Sequence, residues 1–378
     1  MRAEPTLIIC SKSPWSPAIR REHALARVAA ARGHRVVFIE QPRDVRALAG
    51  SGRRAWLRAM AGRAERRIVA GGVEVIRRAS LVPPHRGRLG WRMESVSLRH
   101  VIERVAKGGG ALVAMLPWQW PALAALRGYR RVFDLADDWS VLIPRQRGAI
   151  LEQYQRIAAE ADAVMVVSGE QLASLFEPRA VLEVPNGAGA ELLATPPTPP
   201  PKQRVIGYAG TLSERFDAPL VASAMERLED WKLELYGECH YAGQGDRPSP
   251  ELHELLESFP DRIVWHGPVD RSGLGSRLDA AQVLVVPHRR RGVTGDIMKL
   301  YDYAARGRPI VSTSWGSPRR EDRPPGLRLA DTGEGFAEAV PGAADEAPDA
   351  ARKLRRWAEA RSWDARWPAW AGAVFGEG

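Results

Sequence analysis

The chain has 378 residues, which is more than one ordinary domain and suits two domains that each bury a core. With 45% hydrophobic and 26% charged residues, the composition is that of a folded protein and excludes a disordered chain. The net charge of +10 resides in the first half: residues 1–200 hold 30 Lys and Arg against 18 Asp and Glu, and the remainder holds 25 against 27.

The basic residues are almost all Arg, and they are scattered through helical patterns without interleaved aromatic residues. Single-strand nucleic-acid binders need such aromatics, so we do not expect a nucleic-acid partner. The remaining explanations are a general preference for Arg, an acidic acceptor, or contact of the N-terminal half with an anionic membrane surface.

The cysteines and the apolar runs indicate the cellular compartment in which we expect the protein. Cys10 and Cys239 lie far apart, so we expect no disulfide framework and a reducing compartment. The N-terminus shows no cleavage signal, and no apolar run approaches the roughly 18 residues of a membrane span. The sequence therefore predicts a cytoplasmic protein whose basic half can lie against the inner face of the membrane.

Short apolar runs alternate with helical patterns along the first part of the chain. This alternation is typical of βαβ units around a parallel sheet. The predicted strands are 7–10, 36–39, 73–76, 111–116, 132–135 and 163–167, and helical patterns cover 18–31, a stretch from 45, and 95–106.

A proline-rich segment at 194–202 follows, and it reads ATPPTPPPK. Because proline lacks an N–H and fixes φ, this segment predicts a linker between an N-terminal domain, 1–193, and a C-terminal domain, 203–350. The alternation restarts in the second domain, with predicted strands at 205–209, 232–236, 263–265, 283–286 and 309–312. Residues 351–378 predict amphipathic helices that pack back across the domains.

Four segments of the C-terminal half carry a family resemblance in their order and spacing: GYAGTLSERFD at 207–217, DRIVWHGPV at 261–269, AQVLVVP at 281–287 and GDIMKLYDYAARGRPIVST at 295–313. They resemble the C-terminal domain of GT-B glycosyltransferases related to family GT4, the group 1 glycosyl transferases. Residues 29–40, 161–168 and 184–187 match the N-terminal half more loosely. The resemblance implies an α/β fold of the GT-B type, with two doubly wound Rossmann-like domains facing across a cleft and a C-terminal helix returning to the N-terminal domain.

The resemblance also implies which residues hold a nucleotide-diphosphate sugar. Glycines allow the backbone to approach a ligand, a helix start binds phosphate, and cations neutralise the departing diphosphate. The expected donor-binding residues are Gly210, Thr211, Arg215, Gly237, His266, Gly267, Thr294, Gly295, Asp296, Lys299 and Asp302. The Arg289–Arg291 run either adds cations to this site or is a solvated charge run.

Two positions of the family's E-x7-E motif are changed here. Asp302 stands in the place of the second Glu, whose carboxylate receives the ribose hydroxyls, and a shorter Asp can accept the same hydrogen bonds. Thr294 stands in the place of the first Glu, which leaves retention or inversion of stereochemistry open.

The first domain offers candidates for the acceptor side. Asp134, Asp137 and Asp138 follow a predicted strand, where one of them can act as general base or can cap the next helix. Arg20 and His23 open the first helix, and Trp118 or Trp120 can stack on an acceptor or pack in the core. We expect no metal and no other cofactor.

The sequence thus predicts a hexosyltransferase-type glycosyltransferase that moves a sugar from a nucleotide-diphosphate donor to a glycan, lipid-linked or natural-product hydroxyl. Two alternatives stay open: a nucleotide-sugar 2-epimerase of the same fold, and a non-catalytic GT-B-like binding subunit. A dinucleotide-dependent dehydrogenase is disfavoured because no G-x-G-x-x-G follows the first strand.

Overall fold

The computed structural model describes residues 6–16, 19–46, 64–69, 71–106, 109–241, 244–245, 247–289, 296–314 and 322–376. The chain divides into two compact units. The first contains the chain up to Pro185 and the C-terminal residues from Arg366, and the second contains the chain from Asn186 together with Asp296–Ala365. The first unit therefore ends before the predicted boundary at residue 193.

An eight-stranded sheet forms the centre of the first unit, in the order β10-β9-β8-β7-β1-β2-β5-β4. All neighbours pair in parallel except β4, which is antiparallel to β5. A small parallel pair, β3 with β6, lies outside this sheet. The strands are β1 (Thr6–Cys10), β2 (Val36–Ile39), β3 (Arg43–Asp44), β4 (Glu65–Ile68), β5 (Glu74–Arg77), β6 (Ala79–Ser80), β7 (Gly110–Ala114), β8 (Tyr129–Leu135), β9 (Ala163–Val166) and β10 (Leu182–Glu183).

Helices accompany this sheet, and the central strands are buried on both faces. Strand β2, for example, reads VVFI and is buried throughout, which is the pattern of a parallel strand between two helical layers. The helices described in this unit are α1 (Arg21–Ala31), α2 (Arg88–Val105), α3 (Trp120–Ala124), α4 (Trp139–Leu142), α5 (Arg147–Glu160) and α6 (Glu170–Ala173).

The second unit has a six-stranded parallel sheet in the order β13-β12-β11-β14-β15-β16. Its strands are β11 (Val205–Ala209), β12 (Lys232–Tyr236), β13 (Ile263–Trp265), β14 (Val283–Val286), β15 (Ile310–Ser312) and β16 (Arg328–Leu329). Its described helices are α7 (Ala190–Leu193), α8 (Ala218–Arg227), α9 (Pro250–Ser258), α10 (Arg271–Asp279), α11 (Met298–Ala305), α12 (Gly333–Asp345) and α13 (Ala347–Glu359). The last helix, α14 (Trp363–Phe375), begins in this unit, and its residues from Arg366 belong to the first.

The proline-rich segment is fastened to the second unit. Arg306 is buried, forms an ion pair with Asp279, and donates to the carbonyl oxygens of Thr195 at 2.9 Å and Pro196 at 3.1 Å. Arg308, also buried, donates to the carbonyl of Thr198 at 2.8 Å. Guanidinium groups thus supply the hydrogen bonds that a proline-rich backbone cannot make with itself.

Among the described residues, no helix combines the length and the apolar character needed to cross a membrane.

Arg306 provides a test of how the proline-rich segment is held. Arg306→Met leaves the Asp279 carboxylate buried without its main partner and removes the bonds to the segment, so we expect a loss of about 3 kcal/mol in the free energy of unfolding. Chemical denaturation measures this loss. Arg204→Met is the control, because its ion pair with Asp230 lies at the surface and contributes under about 1 kcal/mol. Equal effects of the two substitutions would contradict this account.

Candidate functional site

Three glycines lie side by side where β11, β12 and β13 end. The Gly210 N–H donates to the carbonyl of Tyr236 at 2.8 Å, and the Gly237 N–H donates to that of Gly267 at 2.7 Å. At Gly237, where φ is 143°, an added Cβ would lie only 2.1 Å from the Gly210 carbonyl oxygen. Bare backbone therefore forms this part of the carboxyl edge of the sheet, and we call Gly210, Gly237 and Gly267 the glycine edge.

A lysine side chain lies on the glycine edge. Lys299, near the start of α11, places its ammonium group 5.3 Å from the centre of the Tyr208 ring. An added Cβ on Gly210 would lie 2.1 Å from its Cε and 2.6 Å from its Nζ. The absence of a side chain at residue 210 is what allows this cation to lie against the backbone.

Two tyrosine hydroxyls hold the end of β11 and the loop that follows it. The Tyr208 hydroxyl donates to the carbonyl of Thr211 at 3.1 Å, and the Tyr303 hydroxyl accepts from the Ala209 N–H at 2.8 Å. The side chains of Thr211 and Arg215 are exposed. The predicted donor residues Gly210, Thr211, Gly237, Gly267 and Lys299 thus come together at one edge of one sheet.

His288 belongs to the same place, although the sequence did not single it out. It follows β14, it is buried, and its backbone is fixed through Thr313, whose hydroxyl donates to the His288 carbonyl at 2.8 Å. Burial sets the pKa of its imidazole well below the usual range, and the charges of Lys299 and Arg215 lower it further. His288 is therefore a neutral ring beside two cations.

Asp302 has a different partner from the one that the family resemblance implies. Both of its carboxylate oxygens accept from Arg271, at 2.7 and 2.8 Å, in a largely buried ion pair. Arg271 also pairs with Glu191 on α7. Ribose hydroxyls would have to share Asp302 with a bidentate guanidinium, which the sequence gave no reason to expect.

Asp296 holds backbone in place. Its carboxylate accepts from the Asn186 N–H at 2.6 Å and from the Tyr301 hydroxyl at 2.8 Å. Helix α11 begins at Met298, so Asp296 precedes the helix instead of lying in its first turn. The other two residues of the expected helix start, Thr294 and Gly295, lie outside the described residues, as do Arg290 and Arg291.

His266 is fixed against the sheet. Its ring stacks on Tyr236 with centroids 4.8 Å apart, and its Nε2 contacts Glu234 on β12. Arg289 pairs with Glu251. These contacts orient both side chains within the second unit.

The three aspartates that the sequence proposes as candidates in the first unit differ in their surroundings. Asp134 is fully buried and accepts from Arg21 at 3.0 Å and from the Trp370 indole at 3.3 Å, so it does not fit a general base. Asp138 caps α4 by accepting from the Ser140 N–H at 2.9 Å. Asp137 forms an ion pair with Lys12 at 2.9 Å and keeps 17% of its side chain exposed. Of the three, Asp137 is the one that is neither fully buried nor the cap of a helix.

Glu22 lies close to that pair, on the helix that follows β1. It is buried and accepts a hydrogen bond from the Ser13 hydroxyl. Burial by itself raises the pKa of the Glu22 carboxyl, but the charge of Lys12 and the Ser13 hydrogen bond contribute to a net lowering. A second group of polar side chains therefore lies where β1 and β8 end.

The expected acceptor contacts of His23 and the tryptophans are not supported by their positions. His23 is buried: its Nδ1 accepts from the Arg20 N–H at 3.0 Å, and its Nε2 lies 3.1 Å from the Pro14 carbonyl. Burial lowers the pKa of His23, which makes the ring a neutral structural bridge. Trp118 and Trp120 are buried too, and the Trp120 indole donates to Glu160 at 3.0 Å. Arg20 is exposed.

Solved structures of other proteins share the fold of this chain. Over 99% of its length the chain superposes on 98% of a sucrose-phosphate synthase from Thermosynechococcus elongatus, with a TM-score of 0.70 and 16% identity. Over 99% it superposes on the whole of HepE from Anabaena in complex with UDP, with a TM-score of 0.67 and 15% identity. The fold is that of the GT-B glycosyltransferases, as the sequence predicted.

A family model matches a segment of the second unit. Residues 203–345 match the model of the family described as Glycosyl transferases group 1. A curated relative from Bacillus subtilis (strain 168), described as putative teichuronic acid biosynthesis glycosyltransferase TuaH, is 20% identical over 228 residues. That match covers 54% of this chain and only 56% of the relative. The glycine edge, Lys299 and His288 all lie inside the family match.

The neutral state of His288 is testable by titration. Because the unfolded chain takes up a proton near pH 6.5 and the folded protein takes it up only at a lower pH, acidification through this range favours unfolding. We expect the His288 Cε1–H resonance in NMR, identified by its absence in His288→Gln, to stay at its neutral position from pH 7.5 to 6. We also expect His288→Gln to lose less stability than the wild type between those pH values. A His288 midpoint at or above 6.5 would contradict this assignment.

Proposed function

We propose that this chain transfers a glycosyl group from a nucleotide-diphosphate sugar to an acceptor hydroxyl, with the diphosphate bound at the glycine edge. The observation that carries the proposal is the Lys299 ammonium group lying against the bare backbone of Gly210. Backbone without side chains gives phosphate oxygens close access, and the cation compensates their charge. This arrangement lies within the residues that match the group 1 glycosyl transferases.

Charge compensation is the main requirement of the reaction. The acceptor oxygen forms a bond to the anomeric carbon, the bond from that carbon to the diphosphate oxygen breaks, and negative charge builds up on the departing diphosphate. In this proposal Lys299 and Arg215 supply the positive charge, without a metal ion. His288, neutral beside them, presents a polar ring instead of a third charge.

Uridine diphosphate is the nucleotide to test first, since HepE, which shares the fold, was solved in complex with UDP. The name of the Bacillus subtilis relative refers to teichuronic acid biosynthesis, so we propose a hydroxyl of a glycan or of a lipid-linked glycan as the acceptor.

In the first unit we propose Asp137 as the general base that takes the proton from the acceptor hydroxyl. It lies just past β8, where parallel sheets build their sites, and part of its carboxylate faces solvent. The partner Lys12 orients it.

The role of Lys299 is tested by nucleotide binding. Lys299→Met removes the cation and keeps most of the side-chain volume, so we expect UDP to bind about 10- to 100-fold more weakly, the loss of one charged hydrogen bond. Isothermal titration calorimetry measures the Kd. The matched control is Lys232→Met, which removes an exposed lysine at the start of β12, and it should bind like the wild type. Wild-type affinity in Lys299→Met would refute the proposed phosphate site.

The role of Asp137 is tested by turnover. Asp137→Asn keeps the shape but cannot accept the proton, so we expect kcat to fall about 100-fold while the Kd for UDP stays unchanged. UDP release from a panel of UDP-sugars, with glycan acceptors and with water alone, measures kcat. Glu152→Gln removes an exposed carboxylate on α5 and serves as the control. Unchanged turnover in Asp137→Asn would refute its assignment as the general base.

A further inference from the structure

One helix of the first unit carries large apolar side chains in solvent. On α2, Leu89 is 62% exposed and Val96 is 72% exposed. The two residues are seven positions apart, so they lie on the same face of the helix. The opposite face is the one that packs, through the buried residues Gly90, Glu94, Leu98 and Ile102. Leu89 and Val96 therefore do not belong to the core of the unit.

Arginines flank these two apolar residues. Around the helix axis, Arg92 and Arg99 lie to one side of Val96 and Arg104 to the other, each within about 80° of Val96. All three are exposed. The one exposed acid on the helix is Glu103, which already pairs with Arg99 at 2.8 Å. The face thus carries Leu89 and Val96 along its middle and arginines along its sides, and Glu103, seven residues after Val96, lies at its C-terminal end beside Arg99.

We infer that this face of α2, made by Leu89, Arg92, Val96, Arg99 and Arg104, docks on the surface of an anionic lipid bilayer. Leu89 and Val96 enter the boundary between headgroups and acyl chains, as the apolar side of an interfacial helix does. The arginines lie along the same boundary with their guanidinium groups among the lipid phosphates. A nucleic acid would satisfy the arginines but would leave Leu89 and Val96 in water.

The charge of the surrounding chain favours the same partner. Residues 1–200 carry 30 Lys and Arg against 18 Asp and Glu, so the long-range field around this helix attracts an anionic surface. The inference does not depend on the proposed transferase activity, because it concerns only where the first unit rests.

Vesicle co-sedimentation of the full chain tests the inference. We expect binding to vesicles of phosphatidylcholine with about one third phosphatidylglycerol and no binding to phosphatidylcholine alone, since the anionic headgroups supply about fivefold per nearby Arg. Arg92→Glu with Arg99→Glu should lower the partition coefficient at least about 20-fold by the same measure. Leu89→Glu with Val96→Glu should lower it about tenfold or more, because the apolar contact is lost.

Matched controls distinguish the effect of changing this face from the effect of changing the net charge or the exposed apolar surface elsewhere. Arg204→Glu with Arg227→Glu makes the same change in charge at exposed positions of the second unit, and Leu182→Glu with Val264→Glu changes two other exposed apolar residues. Both controls should bind like the wild type, and circular dichroism with thermal melting should show all four variants folded.

Three outcomes would overturn the inference: no binding to the anionic vesicles, an equal loss in the control variants, or full binding by Leu89→Glu with Val96→Glu. Preference for a single-stranded oligonucleotide over the vesicles, abolished by Arg92→Glu with Arg99→Glu, would point instead to a nucleic-acid partner.

Discussion

The close approach of two backbone segments at the end of the second sheet is the constraint on which the candidate site depends. Gly210 and Gly237 follow neighbouring strands, and the space between them does not admit a Cβ on residue 237. Because neither residue has a side chain, the ammonium group of Lys299 reaches the backbone directly. A larger residue at either position would separate the loops or displace the lysine. The candidate site therefore requires glycine at residues 210 and 237.

Buried ion pairs leave some of the candidate carboxylates unable to act as proton acceptors. Asp134 is held by Arg21, and Asp302 is held by Arg271. A carboxylate taken out of water needs such a partner, and once it has one it is a poor proton acceptor. Asp137 also has a cationic partner, Lys12, but 17% of its side chain stays exposed, whereas Asp134 is fully buried and Asp138 caps a helix. The difference in role among three nearby aspartates comes from their surroundings and not from their chemistry.

The pattern of apolar residues predicted the positions of the central strands, but it did not predict an edge strand that is exposed to solvent. Strands 36–39, 205–209 and 283–286 were predicted at their observed bounds, because strands inside a parallel sheet read as continuous apolar runs. Strand β4 reads ERRI and was missed, since an exposed edge strand carries polar residues. The partner of Asp302 was also beyond prediction, because Arg271 lies 31 residues earlier and only the tertiary fold brings them together. The glycines and Lys299 were predicted as site residues because they lie in segments that resemble a family, whereas His288 lies outside those segments.

The neutral state of His288 depends on the same positive charges that are proposed to bind the diphosphate. Burial disfavours a charge on the imidazole, and the positive charges of Lys299 and Arg215 disfavour it further. These two cations are also the groups that would hold a diphosphate. An anion bound between them offsets the field that keeps the proton off His288, so anion binding and proton uptake favour each other. If an anion binds at the glycine edge as proposed, the protonation of His288 would respond to its charge, although His288 lies outside the segments from which the site was predicted.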